Sequence, residues 1–344
     1  MKLDVTLRGI PLEEVASWSR ECEELGFDGV FSTETNNDPF LPLALSAEAT
    51  TRVELGTGIA IALPRSPMQV AYTGWDLQGL SGGRFVLGLG SQVRAHIERR
   101  FSAEWDKPAR RIADFTLAVR AIWRAWADDT PLSYEGDFYT HTLMPPDFRP
   151  RKHDHGIPPI MVAGVRPKMI EIGGEVADGL LVHPLQTPRY LRETVLPAVE
   201  RGLETSERRR DDFQVSVCLF TSSSEEETEA VRRRIAFYAS TPGYRHVLEP
   251  DGWGDLCEQL HQLSRTGGWD EMAALVPDAL LDSVCVRAET GAGVAAEVAR
   301  RYSGIADRIN LHAGKLAETG RWTELAAAFP RTGTEDEARP DVPS

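Results

Sequence analysis

The chain has 344 residues, 42% hydrophobic and with eight tryptophans, enough to core one large α/β domain or two ordinary ones. Its 38 basic and 52 acidic residues leave a net charge of −14, which argues against nonspecific binding to nucleic acid or to an anionic membrane. The start MKLDVTLRG lacks the regions of a signal peptide, no apolar run approaches membrane length, and four scattered cysteines show no C-x-x-C spacing; a cytoplasmic protein with reduced thiols is expected.

In chain order, LDVTL (3–7) has a strand pattern, and 11–25 opens on Pro11 with Leu12, Val15, Cys22 and Leu25 on one helical face. A second strand over 27–31 ends in a polar run, a helix follows over 39–50, a third strand over 53–57 and a helix over 67–80. Next comes SGGRFVLGLGS (81–91), a short apolar strand bracketed by glycine pairs, and then a long amphipathic helix at about 108–126. Residues 131–159 form a Pro-rich connection too long for a simple loop. Strands are predicted at 158–164, 179–183, 213–221 and 307–311, with helices at 166–177, 190–204, 294–302 and 316–329. Several helices fill 225–280, an insertion by the β/α count, and 331–344 has the composition of a disordered tail.

Eight strands, each followed by a helix, predict a single (β/α)8 barrel domain over 1–330, with a helical insertion before the last strand. A doubly wound open sheet also alternates β and α, but it needs G-x-G-x-x-G after its first strand, and none is there. In the barrel, Gly82 and Gly83 turn the chain into strand four, and Gly88 and Gly90 end it at the face that binds ligands. Two readings of that second pair stand: a flat ring lying against bare backbone, or small residues fitting a tapered barrel interior.

Four segments carry a resemblance to a known family: LSGGRFVLGLGS (80–91), RVELGTGI (52–59), MVAGVRPKMIEIGGEVADGLLVH (161–183) and YSGIADRINL (302–311). Over roughly residues 1–315 the sequence resembles the luciferase-like superfamily of (β/α)8 flavin and deazaflavin oxidoreductases, and within it the coenzyme F420-dependent branch. DFYTHTLM (137–144) and RRRIAFYASTPGYR (232–245) look typical of one deazaflavin subfamily. The resemblance implies a non-proline cis peptide at Gly58–Ile59 against the cofactor ring, further ring contacts at Gly88, Gly90 and Ser91, and a loop for the cofactor's phosphate-bearing chain at Ala163, Gly164 and Val165. Physical chemistry supports the last placement, because Arg166–Pro167 opens a helix whose free N–H groups favour an anion. Two departures bear on chemistry. The related alcohol and sugar-phosphate dehydrogenases carry a histidine after the acid that ends strand two and a glutamate just after strand four. This chain has Thr35 and Gln92-Val93 there, and neither threonine nor glutamine is a general base near neutral pH.

The catalytic candidates are therefore Glu34, His183 and His96. Glu34 could bind the ring or shuttle a proton, or simply cap a helix or bond a loop. His183 ends strand six at the ligand face, and His96 follows strand four. Arg94, Arg99 and Arg100 could meet an anionic tail or form a solvated face. Tyr139, His141 and Met144 could line a cleft, and Tyr238 and Tyr244, flanking an STPG turn, could form a lid. His153-Asp154-His155 lacks a third ligand, and no metal is expected. The resemblance implies hydride transfer between coenzyme F420 and a small organic substrate in a homodimer. An FMN-dependent monooxygenase and a non-catalytic flavin-binding protein are the alternatives.

Overall fold

A computed structural model describes residues 1–312 and 319–330; the expected tail at 331–344 and the start of the closing helix, 316–318, lie outside the described residues. Eight parallel strands form one sheet: β1 (Lys2–Leu7), β2 (Gly29–Ser32), β3 (Glu54–Thr57), β4 (Phe85–Gly90), β5 (Ile160–Ala163), β6 (Gly179–Val182), β7 (Gln214–Ser222) and β8 (Arg308–Leu311). Each pairs with the next, and β8 returns to β1 with Lys2 opposite Arg308 and Val5 opposite Leu311. The sheet is a closed barrel. An open doubly wound sheet is excluded.

The helices α1 (Leu12–Glu24), α2 (Leu41–Ala49), α3 (Pro67–Leu80), α4 (Pro108–Ala127), α5 (Pro167–Val176), α6 (Leu196–Thr205), α7 (Glu225–Ala239), α8 (Gly291–Tyr302) and α9 (Thr319–Ala328) follow the strands. Their starts and faces come from the sequence. Ser66 accepts the Met68 amide at 3.3 Å ahead of Pro67, an N-cap with proline at the first helical position. On α4 the apolar stripe at three-to-four spacing buries Ile112, Phe115, Val119, Ile122, Trp123 and Trp126.

Two motifs prove to be architectural. In SGGRF, Gly82 and Gly83 take φ of +66° and +93°, which L side chains rarely adopt. Arg84 then spends its guanidinium on the carbonyls of Val53 (2.7 Å) and Thr50 (2.9 Å), tying β4's entry to the end of α2 and the start of β3. In ADG, Asp178 accepts the amide of Ile160 at 2.8 Å. Asp28 before β2 does the same for Leu3 at 2.8 Å, and Asp307 before β8 for Val215 at 2.7 Å. Before three of the four even-numbered strands, β2, β6 and β8, an aspartate thus bonds an amide of the preceding odd strand.

The insertion is longer than its predicted bounds. After α7 come helices at Arg245–Leu248, Gly254–Thr266, Trp269–Ala274 and Asp278–Val284, then a short strand, Cys285–Arg287, that pairs with the end of β7. The Pro-rich connection runs back along α3 and α4. Its hairpin (Tyr134–Glu135 with Thr140–His141) hangs on buried Asp114, which accepts the amides of Phe138 (2.6 Å) and Tyr139 (3.0 Å). Tyr139 packs edge-on to Phe115 of α4, and the His153 ring stacks on Trp75 of α3 at 4.2 Å. Among the described residues no three His, Cys, Asp or Glu side chains are grouped to hold a metal, and no helix is long and apolar enough to cross a membrane.

Candidate active site

Alternation along the strands stacks the barrel interior in layers. At the floor, buried Arg308 gives Asp4 two hydrogen bonds of 2.7 Å and also pairs with Glu54. One step up, the Thr6 hydroxyl bonds the Asn310 side chain. The same parity carries Arg8 beyond β1 and His312 beyond β8 to the C-terminal mouth, where barrel enzymes bind ligands. Over β3, β4 and β5 the mouth has small residues and glycines; over β1, β6, β7 and β8 it has polar and aromatic side chains.

On the small-residue side the β3–β4 seam contains a bulge. Gly56 lies opposite Val86 and Ala60 opposite Leu89, so the chain advances four residues against three. The Gly58–Ile59 peptide within it is cis. Thr57 fixes the seam below: its hydroxyl accepts the Gly88 amide at 2.8 Å and donates to the Gly88 carbonyl at 2.7 Å. Glu34 fixes the bulge from the side. Its carboxylate accepts the Ile61 amide at 2.7 Å, and Arg65 reaches both oxygens. Both oxygens of Glu34 are occupied by protein donors, the loop-bonding arrangement weighed from sequence.

The two glycines of β4 differ. A Cβ on Gly88 would collide with the Thr57 carbonyl oxygen and lie 2.7 Å from Leu181, so barrel packing alone demands glycine there. A Cβ on Gly90 would run into the terminal carbon of Ile59, a side chain that can turn away. The same wall continues to Ser91, half-buried, whose hydroxyl donates to the Gln92 carbonyl at 3.1 Å. Gln92 has φ of +59° and turns its side-chain oxygen onto the Val93 amide at 3.0 Å. His96 lies apart, exposed on the short helix Arg94–Arg99.

On the polar side His183 is enclosed by aromatics, with Tyr238 edge-on and Tyr244 tilted, both at 4.5 Å. The two tyrosines therefore close over His183 from the insertion. The Leu185 amide donates to His183 Nδ1 at 3.1 Å, which puts the ring proton on Nε2. Burial, with His312 adding to it, pushes the His183 pKa down to about 3, so the ring is neutral at pH 7. His312 stacks on Phe220 at 6.0 Å, and its Nδ1 is buried with no hydrogen-bond partner among the described residues. It was not singled out from the sequence. The signal was present: His312 follows Asp307 in ADRINLH at the distance by which His183 follows Asp178 in ADGLLVH.

The loop after β5, Ala163-Gly164-Val165, leads into Arg166, the N-cap of α5. Gly164 is wedged against Ile170, 3.0 Å from where its Cβ would be. The Val165 carbonyl takes the Tyr190 hydroxyl at 2.7 Å and bonds His246 Nε2 at 3.1 Å. Beside it opens a cavity of about 480 Å³ whose lining includes Arg166, Tyr190, Thr194, Arg245, His246 and the acidic Glu249. Arg245 is shared with Glu249 at 3.5 Å and Glu258 at 3.7 Å, so the anion character of this subsite rests on Arg166 at the N-terminus of α5.

The sequence profile of the luciferase-like monooxygenase family matches residues 3–308. The chain belongs to that family. The luciferase-like barrel is 46% identical over 315 residues to the uncharacterized protein Rv1360 of Mycobacterium tuberculosis, covering 90% of this chain and 92% of that one. It is 26% identical over 296 residues to the putative coenzyme F420-dependent oxidoreductase Rv3520c of the same organism, covering 80% and 84%. Among solved structures, the coenzyme F420-dependent tetrahydromethanopterin reductase of Methanopyrus kandleri superimposes with a TM-score of 0.75 at 18% identity, covering 95% of this chain and 98% of that one. Within this luciferase-like site, Thr35 is exposed and its carbonyl accepts Arg100 at 2.7 Å.

Proposed function

We propose that this protein is a coenzyme F420-dependent oxidoreductase that exchanges a hydride with a small organic substrate. The observation that carries the reading is the division of the mouth. A wall of Ile59, Gly90, Ser91 and Ala163 leads to the cavity beside Arg166, and polar and aromatic side chains stand opposite. The residues fit the group. A planar ring needs a wall without projecting side chains, and a phosphate- and carboxylate-bearing tail needs cations at a helix N-terminus. Similarity to Rv3520c over 80% of the chain supports the deazaflavin over FMN.

When bound, the deazaflavin supplies hydride chemistry at a ring carbon. The chain's own residues do the rest. Ile59 and Gly90 hold one face of the ring, Gly58 shapes the bulge, and Gly88 and Thr57 keep the seam beneath it rigid. Ala163, Gly164, Val165 and Arg166 receive the tail. Glu34 acts through Arg65 and Ile61 as a positioning residue. His183, neutral with its proton on Nε2, acts as a hydrogen-bond donor, and Thr35 and Gln92 are no general acid or base near neutral pH. His96 stays outside this assignment because it is exposed on its own helix. The protein acts in the cytoplasm as a homodimer, a reading supported by the unpaired thiols and by Leu41 and Leu45 exposed one turn apart on α2.

The test is turnover. The protein is mixed with reduced and oxidised F420 and a panel of carbonyls, alkenes and alcohols, with and without oxygen, and the visible absorbance of the oxidised deazaflavin is followed. Hydride transfer without oxygen is expected. Turnover only with reduced FMN and oxygen would establish the monooxygenase reading, and cofactor binding without any turnover would leave a flavin-binding protein.

A further inference from the structure

Three groups at the mouth have no place in that chemistry: Arg8, Arg234 and His312. Register brings the first and last together. With Val5 opposite Leu311, and Leu219 also opposite Leu311, the ends of β1, β8 and β7 lie side by side, and the interior parity of Asp4 and Thr6 on β1 and of Arg308 and Asn310 on β8 continues to Arg8 and His312. Arg234 comes from above, on α7, one turn before Tyr238, whose ring sits on His183. Neither arginine has an ion pair or hydrogen bond among the described residues, although this chain carries 52 acidic side chains. His312 adds a buried Nδ1 with no partner among the described residues.

The fields of the two arginines overlap. Arg234 is exposed on α7, and partial desolvation and then Arg8 lower it from its ordinary value. Burial first, then Arg8 and Arg234 together, push His312 down to about 3. Cys218, inside the same end of the barrel, is pushed up to about 12 by burial, with Arg8 and Arg234 both opposing. Arg8 is half-buried and Arg234 exposed; two like charges with no counterion among the described residues repel, and a buried ring nitrogen with no partner among them adds to the cost. Such a set is relieved by one ligand: an oxyanion taking guanidinium donors from both sides.

We propose that Arg8 and Arg234, with His312, form the substrate-binding subsite and that the substrate carries a carboxylate or phosphate group. The inference rests on the oxidoreductase reading, since it names the class of molecule that reaches the cofactor. It is distinct from the Arg166–Arg245 cavity, which lies beyond β5 and α5. The polar half of the mouth thus fixes an anionic end of the substrate. Arginine at both positions suits a planar, bidentate anion better than two lysines would.

The experiment separates the two anion sites and the two readings. Inorganic phosphate, and in a parallel arm acetate, is titrated calorimetrically into the full chain: wild type, Arg166→Gln, Arg8→Gln, Arg234→Gln, and wild type saturated with F420. Phosphate or acetate binding is expected to survive Arg166→Gln and F420 saturation and to weaken at least tenfold in Arg8→Gln and in Arg234→Gln; the tighter probe identifies the anion. Thermal melts at low salt control for folding, because removing one of two neighbouring like charges should leave the apo melting temperature unchanged or higher. Anion binding unaltered by both variants, or an F420 affinity that falls tenfold in both while anion binding does not change, would overturn the proposal. If F420 fails to bind anywhere but the anion still needs Arg8 and Arg234, the cofactor reading falls and the subsite stands.

Discussion

Arg65 grips both oxygens of Glu34, at 2.9 and 2.7 Å, while the same carboxylate accepts the Ile61 amide at 2.7 Å. The end of β2 is thereby locked to the chain that leaves the β3 bulge, and only 6% of the Glu34 side chain is exposed. Glu34→Ala would leave the Ile61 amide without its acceptor and Arg65 with only the Ile61 carbonyl and Asp38, costing roughly 2–3 kcal/mol. The apo melting temperature should fall by roughly 5–10 °C, and Glu34→Gln, which can keep the Ile61 bond, should fall less. A free proton shuttle would give the opposite pattern, with the melt unmoved and turnover lost.

Gly88 and Gly90 should separate cleanly under the same substitution. Gly88→Ala drives a methyl into the Thr57 carbonyl, where neither strand can retreat without opening the seam, and should cost more than about 3 kcal/mol. Gly90→Ala meets only the tip of Ile59 and should cost about 1–2 kcal/mol, while the displaced side chain crowds the proposed ring wall. F420 affinity in Gly90→Ala should fall at least about tenfold, near 1.4 kcal/mol. Apo melts beside calorimetric titrations read both; equal stability losses at the two positions with unchanged affinity would remove Gly90 from the ring wall.

The two histidines at the mouth predict a pH dependence of stability. Both are held near a pKa of 3 in the folded chain, by burial first in each case, against about 6.5 unfolded. The unfolded chain therefore binds more protons below pH 6.5. Stability is full above that pH and is lost as pH falls towards 3, at up to about 1.4 kcal/mol per pH unit for each histidine. Urea melts from pH 7 to pH 5 should show this slope, and His183→Gln should reduce it. Stability independent of pH across that range would contradict the enclosure of both rings.

Leu41 and Leu45 are 58% and 40% exposed on α2, side by side at i and i+4. Light scattering at micromolar concentration should give twice the 38.1 kDa chain mass, and Leu45→Glu should shift it towards the monomer. A wild-type monomer would remove the α2 interface.

The barrel was legible because each strand and helix announced itself within about ten residues: α4 by its stripe of Phe115, Val119, Ile122 and Trp126, and the turn into β4 by Gly82-Gly83. What could not be read locally were pairings between distant segments. Arg84 follows a turn that is plain in the sequence, but its guanidinium bonds to the Thr50 and Val53 carbonyls are not. Asp4 and Arg308, 304 residues apart, meet only once β8 closes onto β1, and Arg8 reaches the mouth by the same closure. The Gly88–Gly90 pair was read as one feature, yet one glycine answers to Thr57 and the other to Ile59. The long connection offered aromatic and histidine residues for a cleft, but Asp114 gathers its hairpin onto α4 instead.

The most direct test of the central claim is calorimetric titration of the apo-protein with coenzyme F420 and, separately, with FMN, repeated in Arg166→Gln. F420 should bind with micromolar or better affinity, FMN at least about tenfold more weakly, and Arg166→Gln should weaken F420 through the loss of the cation facing its tail. Tight FMN binding with no affinity for F420 would contradict the assignment.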